Sequence, residues 1–355
     1  MFSINLLFRG SFLKLVASDL WRIYDGERKL VKCMVCERKC VIADKKTGFC
    51  WNYMNIDNKL YDIGYGLLSA IEPRPIEIKP LFHYYPNSWA LTFSGWGCNF
   101  RCPWCQNYHL SWEKPLVNKS IKLEPSELVR KAIELKQQGL CASFNEPSIH
   151  ISYLLDVGEE AKKHNLYLSI VTNGYMTIYS LKKLLETGYT GFSIDIKGCP
   201  ETYRKFLGGY AEVIYRNARY ILDRNGYVEM VYLVIPKVND WRECYQWIID
   251  KHLEYLGEDI PLHINRYYPM YKYNEPPTPI EELLEIYREA RKAGIEYVYI
   301  GNILDETFQD TKCPKCGKLL IKRRGYRVVE WNITRDNRCP RCNHKISIYG
   351  KPFIN

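Results

Sequence analysis

The sequence has no apolar run long enough to cross a membrane. No stretch approaches the ~18 uninterrupted apolar residues that a membrane-spanning helix needs. The apolar segment at the N-terminus is interrupted by Arg9, Lys14, Asp19 and Arg22, and no small-residue cleavage site of a signal peptide follows it. We therefore expect a soluble protein, without a membrane partner, whose N-terminus is poorly ordered or amphipathic.

The chain also lacks the composition of a disordered, fibrous or disulfide-stapled protein. Its 355 residues are 46% hydrophobic and 25% charged, as in globular proteins, and they suffice for one barrel-sized domain with small appendages. Fourteen cysteines are present, but most of them lie in short-spaced groups. In a longer intracellular chain this spacing indicates metal ligation, and a cytoplasmic, reducing location fits it best.

One cysteine group dominates the sequence. Cys98, Cys102 and Cys105 have the spacing C-x3-C-x2-C, and they follow a strand-like run, 89–94, and two glycines. Four thiolates close the coordination of an iron–sulfur cube, so three leave one iron without a protein ligand. The alternatives are buried thiols, or three ligands of a zinc site whose fourth ligand lies elsewhere.

This motif resembles the signature of the radical S-adenosylmethionine (SAM) superfamily, C-x3-C-x-aromatic-C, with Trp104 as the aromatic residue. The segments 97–102 and 105–107 are similar to the branch related to pyruvate formate-lyase activating enzyme, and most of all to the radical SAM proteins associated with the Amme and Memo families. That likeness covers about residues 20–350. It implies a [4Fe–4S] cluster whose open iron is chelated by SAM, and an electron from the cluster that splits SAM into methionine and a 5'-deoxyadenosyl radical.

Two further cysteine groups predict additional metal sites. The first consists of Cys33, Cys36, Cys40 and Cys50. Zinc and an auxiliary iron–sulfur cluster both accept four thiolates, and the spacing does not separate them; a redox-inert thiol cluster is the remaining alternative.

The second group lies near the C-terminus and has the paired knuckle spacing of one tetrahedral site. Its members are Cys313, Cys316, Cys339 and Cys342. Zinc is the predicted ion, and a single rubredoxin-like iron is the alternative. The turn-forming residues Gly317 and Asn343 follow the two knuckles.

From residue 89 onward, strand-like and helix-like runs alternate, which is typical of a parallel sheet covered by crossover helices. Six such units predict an α/β fold with a partly open barrel, and the resemblance implies the partial (β/α)6 radical SAM barrel. We divide the chain into an N-terminal extension, a four-cysteine module with a proline-rich connection, the partial barrel, and a rubredoxin-like or zinc-ribbon module, which span 1–32, 33–88, 89–308 and 309–355.

Residues that follow the strands are candidates for SAM binding, because ligands of parallel barrels meet the carboxyl ends of strands. The resemblance makes Glu146 a partner of the SAM amino group and Asn173 a contact of its carboxylate or ribose. It also makes Lys197 a partner of the SAM carboxylate and Asp195 part of a cation or SAM site, whereas a salt bridge between these two is the alternative. Asn239, Arg266 and Trp104 are weaker candidates for SAM contacts.

These observations predict an enzyme that cleaves SAM and abstracts hydrogen from a C–H bond, without indicating a catalytic residue. By resemblance, the substrate is a backbone glycine of a protein partner, and the electron donor is of the ferredoxin or flavodoxin type. A small-metabolite substrate is the alternative within the same class.

The alternative from another class is a nucleic-acid-binding zinc or iron–sulfur protein without SAM turnover. The net charge of +10 and the 29 tyrosines favour it, but no recognisable nucleic-acid-binding motif accompanies them. Metal-bound thiolates would also reduce the charge to about +5. We therefore do not expect nucleic acid as a partner.

Overall fold

The structure is a computed structural model that describes residues 13–354. The N-terminal prediction of a poorly ordered or amphipathic segment therefore falls in part outside the described residues, while residues 14–33 contain three strands and a short 3-10 helix. Over residues 13–354, none of the helices combines the length and apolar character that a membrane crossing requires.

Nineteen strands are described, and most of them are short. In chain order they are β1 (Lys14–Leu15), β2 (Trp21–Asp25), β3 (Leu30–Cys33), β4 (Val41–Ala43), β5 (Tyr53–Ile56), β6 (Lys59–Asp62), β7 (Leu67–Leu68), β8 (Ala70–Pro75), β9 (Trp89–Ser94), β10 (Ile121–Lys122), β11 (Gly139–Ala142), β12 (Tyr167–Thr172), β13 (Tyr189–Ile196), β14 (Tyr227–Val234), β15 (Leu262–Arg266), β16 (Val298–Gly301), β17 (Thr311–Lys312), β18 (Leu319–Arg324) and β19 (Arg327–Trp331).

The longer helices alternate with the strands from β10 to β16. The α-helices of the described residues are Tyr108–Ser111, Pro125–Glu134, Ile151–Lys162, Ile178–Glu186, Pro200–Thr202, Glu212–Leu222, Arg242–Leu256 and Ile280–Ala293. A π-helix spans Tyr203–Leu207, and 3-10 helices span Ser18–Leu20, Ile76–Ile78, Val117–Lys119, Pro147–His150 and Glu306–Gln309.

The described chain forms two compact units, of which the first comprises residues 13–73 and 91–189. Small antiparallel sheets, β2-β3-β4 and β1-β6-β5, build its N-terminal part. Its central strands have the order β12-β11-β9, and β11 pairs with β12 in parallel. The helix Ile151–Lys162 connects β11 to β12, as expected of a parallel crossover.

The second unit comprises residues 74–90 and 190–354. The strands β13, β14, β15 and β16 pair in parallel in this order, and most of their side chains are buried, as in a sheet covered on both faces. The strands β17, β18 and β19 form an antiparallel sheet. Both units thus have the predicted α/β character.

The apolar periodicity of residues 125–138 predicts a helix that begins at Pro125 and ends at Gly139, but the helix in the structure is shorter. It begins at Pro125, as predicted, with a capping box between Glu124 and Glu127, but it ends at Glu134. Lys136 has a left-handed φ of 55°. Gly139 is the first residue of β11, and a Cβ atom there would lie 2.3 Å from the Tyr167 ring. Close packing of the strand, and not helix termination, therefore explains this glycine.

Candidate functional site

The cysteine loop follows β9, and its geometry depends on a glycine. Gly97 has a φ of +81°, and a Cβ atom at this position would lie 2.3 Å from the carbonyl oxygen of Cys50. Only glycine combines this backbone conformation with so close an approach. The backbone of the four-cysteine segment thereby packs directly against the residue that precedes Cys98.

Asparagine side chains attach the cysteine loop to the end of β11. The Asn145 Nδ2 atom donates to the carbonyl oxygen of Gly97 at 2.9 Å. The Asn107 Nδ2 atom donates to the carbonyl oxygen of Phe144 at 2.7 Å, where Phe144 has a left-handed φ of 69°. These two bonds join residues on both sides of the cysteine motif to the turn that carries Glu146.

Cys98 lies among hydrogen-bond donors that stabilise a thiolate. The backbone N–H of Phe100 donates to its Sγ atom at 3.4 Å, and the Asn173 Nδ2 atom lies 3.9 Å from it. Burial raises the pKa of the Cys98 thiol well above its usual range, and the Glu146 carboxylate and the Cys102 thiol raise it further. A bound cation would reverse this effect, because metal binding stabilises the thiolate form.

The other two cysteines of the motif lie in the turn that follows. The backbone N–H of Cys105 donates to the carbonyl oxygen of Cys102 at 3.2 Å. Cys102 and Trp104 are buried, whereas Cys105 is half-buried. Three thiols from one short loop, with N–H donors directed at the first of them, fit the three protein ligands of a site-differentiated [4Fe–4S] cluster.

Glu146 is a buried carboxylate with three protein donors. Its Oε1 atom accepts hydrogen bonds from the Ser148 backbone N–H at 3.0 Å and from the Thr172 hydroxyl at 2.7 Å. Its Oε2 atom accepts from the Asn173 backbone N–H at 2.8 Å. Burial raises the pKa of the carboxyl group, and these hydrogen bonds oppose the increase. Such a group gains from a nearby ammonium, which favours the charged form.

The turn after β12 is built by side-chain bonds to its own backbone. The Thr172 hydroxyl accepts from the Gly174 N–H at 3.0 Å, and the Asn173 Oδ1 atom accepts from the Tyr175 N–H at 3.0 Å. The Asn173 Nδ2 atom also donates to Asn99 Oδ1 at 2.7 Å. The first unit therefore brings the predicted residues Cys98, Glu146 and Asn173 together.

The predicted residues of the second unit have partners within that unit. Lys197 Nζ lies 3.0 Å from Asp195 Oδ2, so the two side chains form an ion pair. Asn239 is fully buried, and its amide bonds to the backbone of Lys197, Leu233 and Ile235. It thereby shapes the turn that follows β14.

Arg266 lies at the end of β15. Its Nε atom donates to the Thr278 carbonyl oxygen at 2.7 Å, and its guanidinium also contacts the Tyr268 hydroxyl at 3.2 Å. The use of Arg266, Asp195, Lys197, Asn239 and Trp104 as SAM contacts stays a prediction.

The four C-terminal cysteines form a compact sulfur group in which all four ligand atoms lie within 4.8 Å of one another. The Sγ atoms of Cys313 and Cys342 are 3.5 Å apart, and those of Cys316 and Cys339 are 3.6 Å apart. This spacing suits four thiolates around one tetrahedral ion. Gly317 and Asn343 adopt left-handed φ angles of 72° and 62° and close the two knuckles.

Sequence reasoning assigned no role to several residues that hold the site together. Among them, Asn99, Asn145 and Asn107 bond side chains or backbone across the loops, as described above. Arg101 donates to the carbonyl oxygens of Cys98 at 2.6 Å and Phe49 at 2.8 Å. The position of Asn145 directly before Glu146 at the end of β11 was the available signal for its role.

His83 is buried within a hydrogen-bond network. Its Nδ1 atom lies 2.7 Å from the Ser347 carbonyl oxygen, and its Nε2 atom lies 2.6 Å from the Tyr299 hydroxyl. Burial lowers the pKa of the His83 ring to about 4, so the ring is neutral near pH 7.

Comparison with known proteins identifies a family and several relatives of this chain. Residues 94–248 match the Radical SAM superfamily. An uncharacterized protein of Methanocaldococcus jannaschii is 35% identical over 90% of this chain and 95% of its own. Another protein of that organism, provisionally named a glycyl-radical enzyme activating enzyme, is 24% identical over 64% of this chain and 92% of its own. A solved domain of pyruvate-formate lyase-activating enzyme from Bacteroides vulgatus is 14% identical, with a TM-score of 0.40, and covers 46% of this chain and 99% of its own.

The matches to proteins of known sequence confirm the predicted α/β radical SAM fold class. They also imply a [4Fe–4S] cluster and SAM as cofactors, for which the Cys98 loop supplies a fitting donor set. The chain belongs to the radical SAM superfamily.

Proposed function

We propose that the protein is an enzyme that cleaves SAM reductively and abstracts hydrogen from a C–H bond of a protein partner. The observation that carries this proposal is the packing of the Cys98 loop against Glu146 and Asn173. When bound, the cluster supplies the electron that splits SAM into methionine and a 5'-deoxyadenosyl radical, so the difficult bond breaking belongs to the cofactor.

The residues of the chain bind and orient SAM in this proposal. Cys98, Cys102 and Cys105 hold three irons of the cluster and leave the fourth for SAM. The Glu146 carboxylate accepts the SAM ammonium, since its other lone pairs are already fixed by three protein donors. Asn173 links the cysteine loop to the carboxylate, because it contacts Cys98 through its side-chain amide and Glu146 through its backbone N–H.

The remaining assignments follow from the family resemblance and from the cysteine chemistry. We assign zinc to the C-terminal group because its sulfur spacing matches a mononuclear tetrahedral site. A low-potential one-electron donor of the ferredoxin or flavodoxin type supplies the electron. A reducing, cytoplasmic location suits fourteen cysteines that are all free thiols in the structure.

A protein substrate is favoured by the relative that is named for the activation of glycyl-radical enzymes. The enzyme would remove one hydrogen atom from the partner, leaving a radical on it, and transfer that atom to the 5' carbon of the deoxyadenosyl radical. We expect slow formation of 5'-deoxyadenosine from SAM alone and strong stimulation by the partner, because partner binding excludes water from the radical.

Deuterium transfer tests this proposal. The anaerobically reduced holoenzyme is incubated with SAM and with size-fractionated lysate of the source organism grown in deuterated medium, and 5'-deoxyadenosine is analysed by mass spectrometry. We expect stimulation and deuterium incorporation with the macromolecular fraction, and none with the Cys102→Ala variant. If only the small-molecule fraction stimulates turnover, the proposal of a protein substrate is wrong and a small metabolite takes its place. If SAM is not cleaved under any condition, the proposed enzymatic function is wrong.

A further inference from the structure

The N-terminal cysteine group lines a cavity in the first unit. Cys33 ends β3, Cys40 precedes β4, and Cys36 and Cys50 lie in the connecting turns. Cys33, Cys36 and Cys50 are buried, and Cys40 is half-buried. All four line one small cavity, together with apolar side chains such as Val35. Four thiols that converge on enclosed space indicate a site for a metal group.

The sulfur spacing of this group differs from that of the C-terminal group. Over residues 13–354, only the C-terminal cysteines bring three or more potential ligand atoms within 4.8 Å of one another. Thiolates around one zinc ion must lie this close, because all of them bind the same atom. Thiolates around an iron–sulfur cube lie farther apart, because each binds a different iron at a separate corner.

We propose that Cys33, Cys36, Cys40 and Cys50 hold a second [4Fe–4S] cluster, with every iron bound by a protein thiolate. An all-thiolate cluster has no open iron, so it carries single electrons and does not bind SAM. The apolar side chains that line the cavity with the four thiols, such as Val35 and Ile42, keep water from the sulfurs.

Positive charge is placed beside this site, as a buried anionic cluster requires. The Arg38 guanidinium lines the cavity and stacks on the Phe49 ring at 3.8 Å. It also donates through Nε to the carbonyl oxygen of Asn99. The Arg101 guanidinium lies 4.5 Å from the centroid of the same Phe49 ring, so two arginines flank the segment that precedes Cys50.

The second site adjoins the Cys98 loop through several direct contacts. Arg101 donates to the carbonyl oxygens of both Cys98 and Phe49. Asn99 lines the cavity and accepts a hydrogen bond from Asn173. Cys36 forms a β-bridge with Met176, in the segment that follows Asn173. The two clusters would therefore be neighbours within one unit.

A variant that removes only the first cluster tests the second. The full-length protein with Cys98→Ala, Cys102→Ala and Cys105→Ala is purified anaerobically, reconstituted with iron and sulfide, and assayed for iron, sulfide and zinc. We expect about four irons and four sulfides per chain to remain, with about one zinc. The electron paramagnetic resonance spectrum of the reduced variant should not change when SAM is added. A variant with no iron and about two zinc ions per chain, or with one zinc and no iron, would overturn the proposal.

Further substitutions identify the ligands. Cys36→Ala and Cys50→Ala, added to the triple variant, should remove the remaining iron, whereas the buried Cys141→Ala should not. Retention of that iron after both substitutions would place the cluster elsewhere. These results do not depend on SAM turnover. A wild-type protein that fails to cleave SAM would therefore contradict the proposed function without contradicting the second cluster.

Discussion

At the scale of single residues, Glu146 shows how the first unit keeps a charged group ready inside the protein. Its carboxylate is buried, yet both oxygens accept hydrogen bonds from the neighbouring turns. An unpaired carboxylate in this position would be costly, and three donors reduce that cost without neutralising the charge. The negative charge of the carboxylate therefore remains available to attract a cationic ligand.

Replacing this carboxylate tests its proposed role. Glu146→Gln keeps the size of the side chain but removes the charge, so we expect SAM affinity to fall about tenfold to hundredfold, the range for a lost hydrogen bond between charged groups. Isothermal titration of the reconstituted enzyme measures the change, and the iron content should stay constant. Glu159→Gln, on the exposed face of the helix Ile151–Lys162, is the matched control. Equal SAM affinity in both variants would contradict the assignment.

The residue scale also shows which placements follow from the sequence. The positions of Cys98, Glu146 and Asn173 just past strands could be predicted because each belongs to a motif that is complete within a few residues, whereas their binding of a cluster and SAM stays a prediction. The partners of Asn99 and Asn145 could not be predicted, because they lie 74 and 48 positions away in the chain. Only the folded chain shows that one of these asparagines bonds Asn173 and the other bonds the backbone of Gly97.

At the scale of elements, the turn at Gly97 fixes the distance between two cysteine segments. Its left-handed φ and its contact with the Cys50 carbonyl leave no room for a side chain. Asn52 reinforces the same contact, because its Nδ2 atom donates to the carbonyl oxygens of Cys50 at 3.1 Å and Trp96 at 2.6 Å. The loop that holds Cys98 therefore depends on the four-cysteine segment for its position.

A substitution at this glycine should affect both stability and metal content. We expect Gly97→Ala to lower the free energy of unfolding by about 2–5 kcal/mol, from backbone strain together with the clash, and to reduce the iron content. Gly325→Ala is the control, since Gly325 has a φ of +57° but no atom within 4 Å of its Cβ position. Its cost should be only about 1–2 kcal/mol. Urea denaturation and iron analysis compare the two; equal losses would mean that the contact with Cys50 is unimportant.

The C-terminal group is the element that the sequence predicted most completely. Its knuckle spacing is local, and the structure places all four sulfurs together. The surrounding core could not be predicted, because it combines Cys313 and Cys339 with Phe82 and Tyr299 from distant parts of the chain. Arg323 is fully buried beside them and donates to the Phe82 carbonyl oxygen at 2.8 Å.

A metal ion bound by these cysteines would have a structural role, because Cys313 and Cys339 belong to this core. We expect Cys316→Ser to remove about one zinc ion per chain and to lower the melting temperature, because metal binding energy contributes to folding. The iron bound at Cys98 should persist. Cys244→Ser, which changes a buried cysteine outside the three groups, is the control. Loss of iron and zinc together, without global unfolding, would show that the two sites are not independent.

At the scale of the whole molecule, several histidines are buried in the neutral form. Burial lowers the pKa of His83, His150 and His252 to about 4 in each case, from a usual value of 6.5. His252 donates from Nε2 to the Ile260 carbonyl oxygen at 2.9 Å, a bond that the neutral ring can make. The aromatic and apolar surroundings that cause this burial come from residues dispersed along the chain, so the sequence did not reveal it.

These histidines predict a loss of stability in mild acid. Between pH 6.5 and about 4 the unfolded chain binds protons that the folded chain excludes, so the free energy of unfolding decreases as the pH falls. Three such groups give a slope of up to about 4 kcal/mol per pH unit. Above pH 6.5 both states are neutral, so the slope from these groups vanishes and their contribution to stability is fully present. Urea denaturation at several pH values measures the slope.

His252→Gln separates the histidine contribution from acid release of metal, which affects wild type and variant alike. Glutamine can still donate to the Ile260 carbonyl but does not titrate, so we expect the slope to decrease by about one third, the share of one proton in three. His164→Gln is the control, because the side chain of His164 is 42% exposed and its replacement should leave the slope nearly unchanged. If His252→Gln has the wild-type slope, the acid sensitivity comes from the thiolate sites, since their ligands also bind protons as the pH falls.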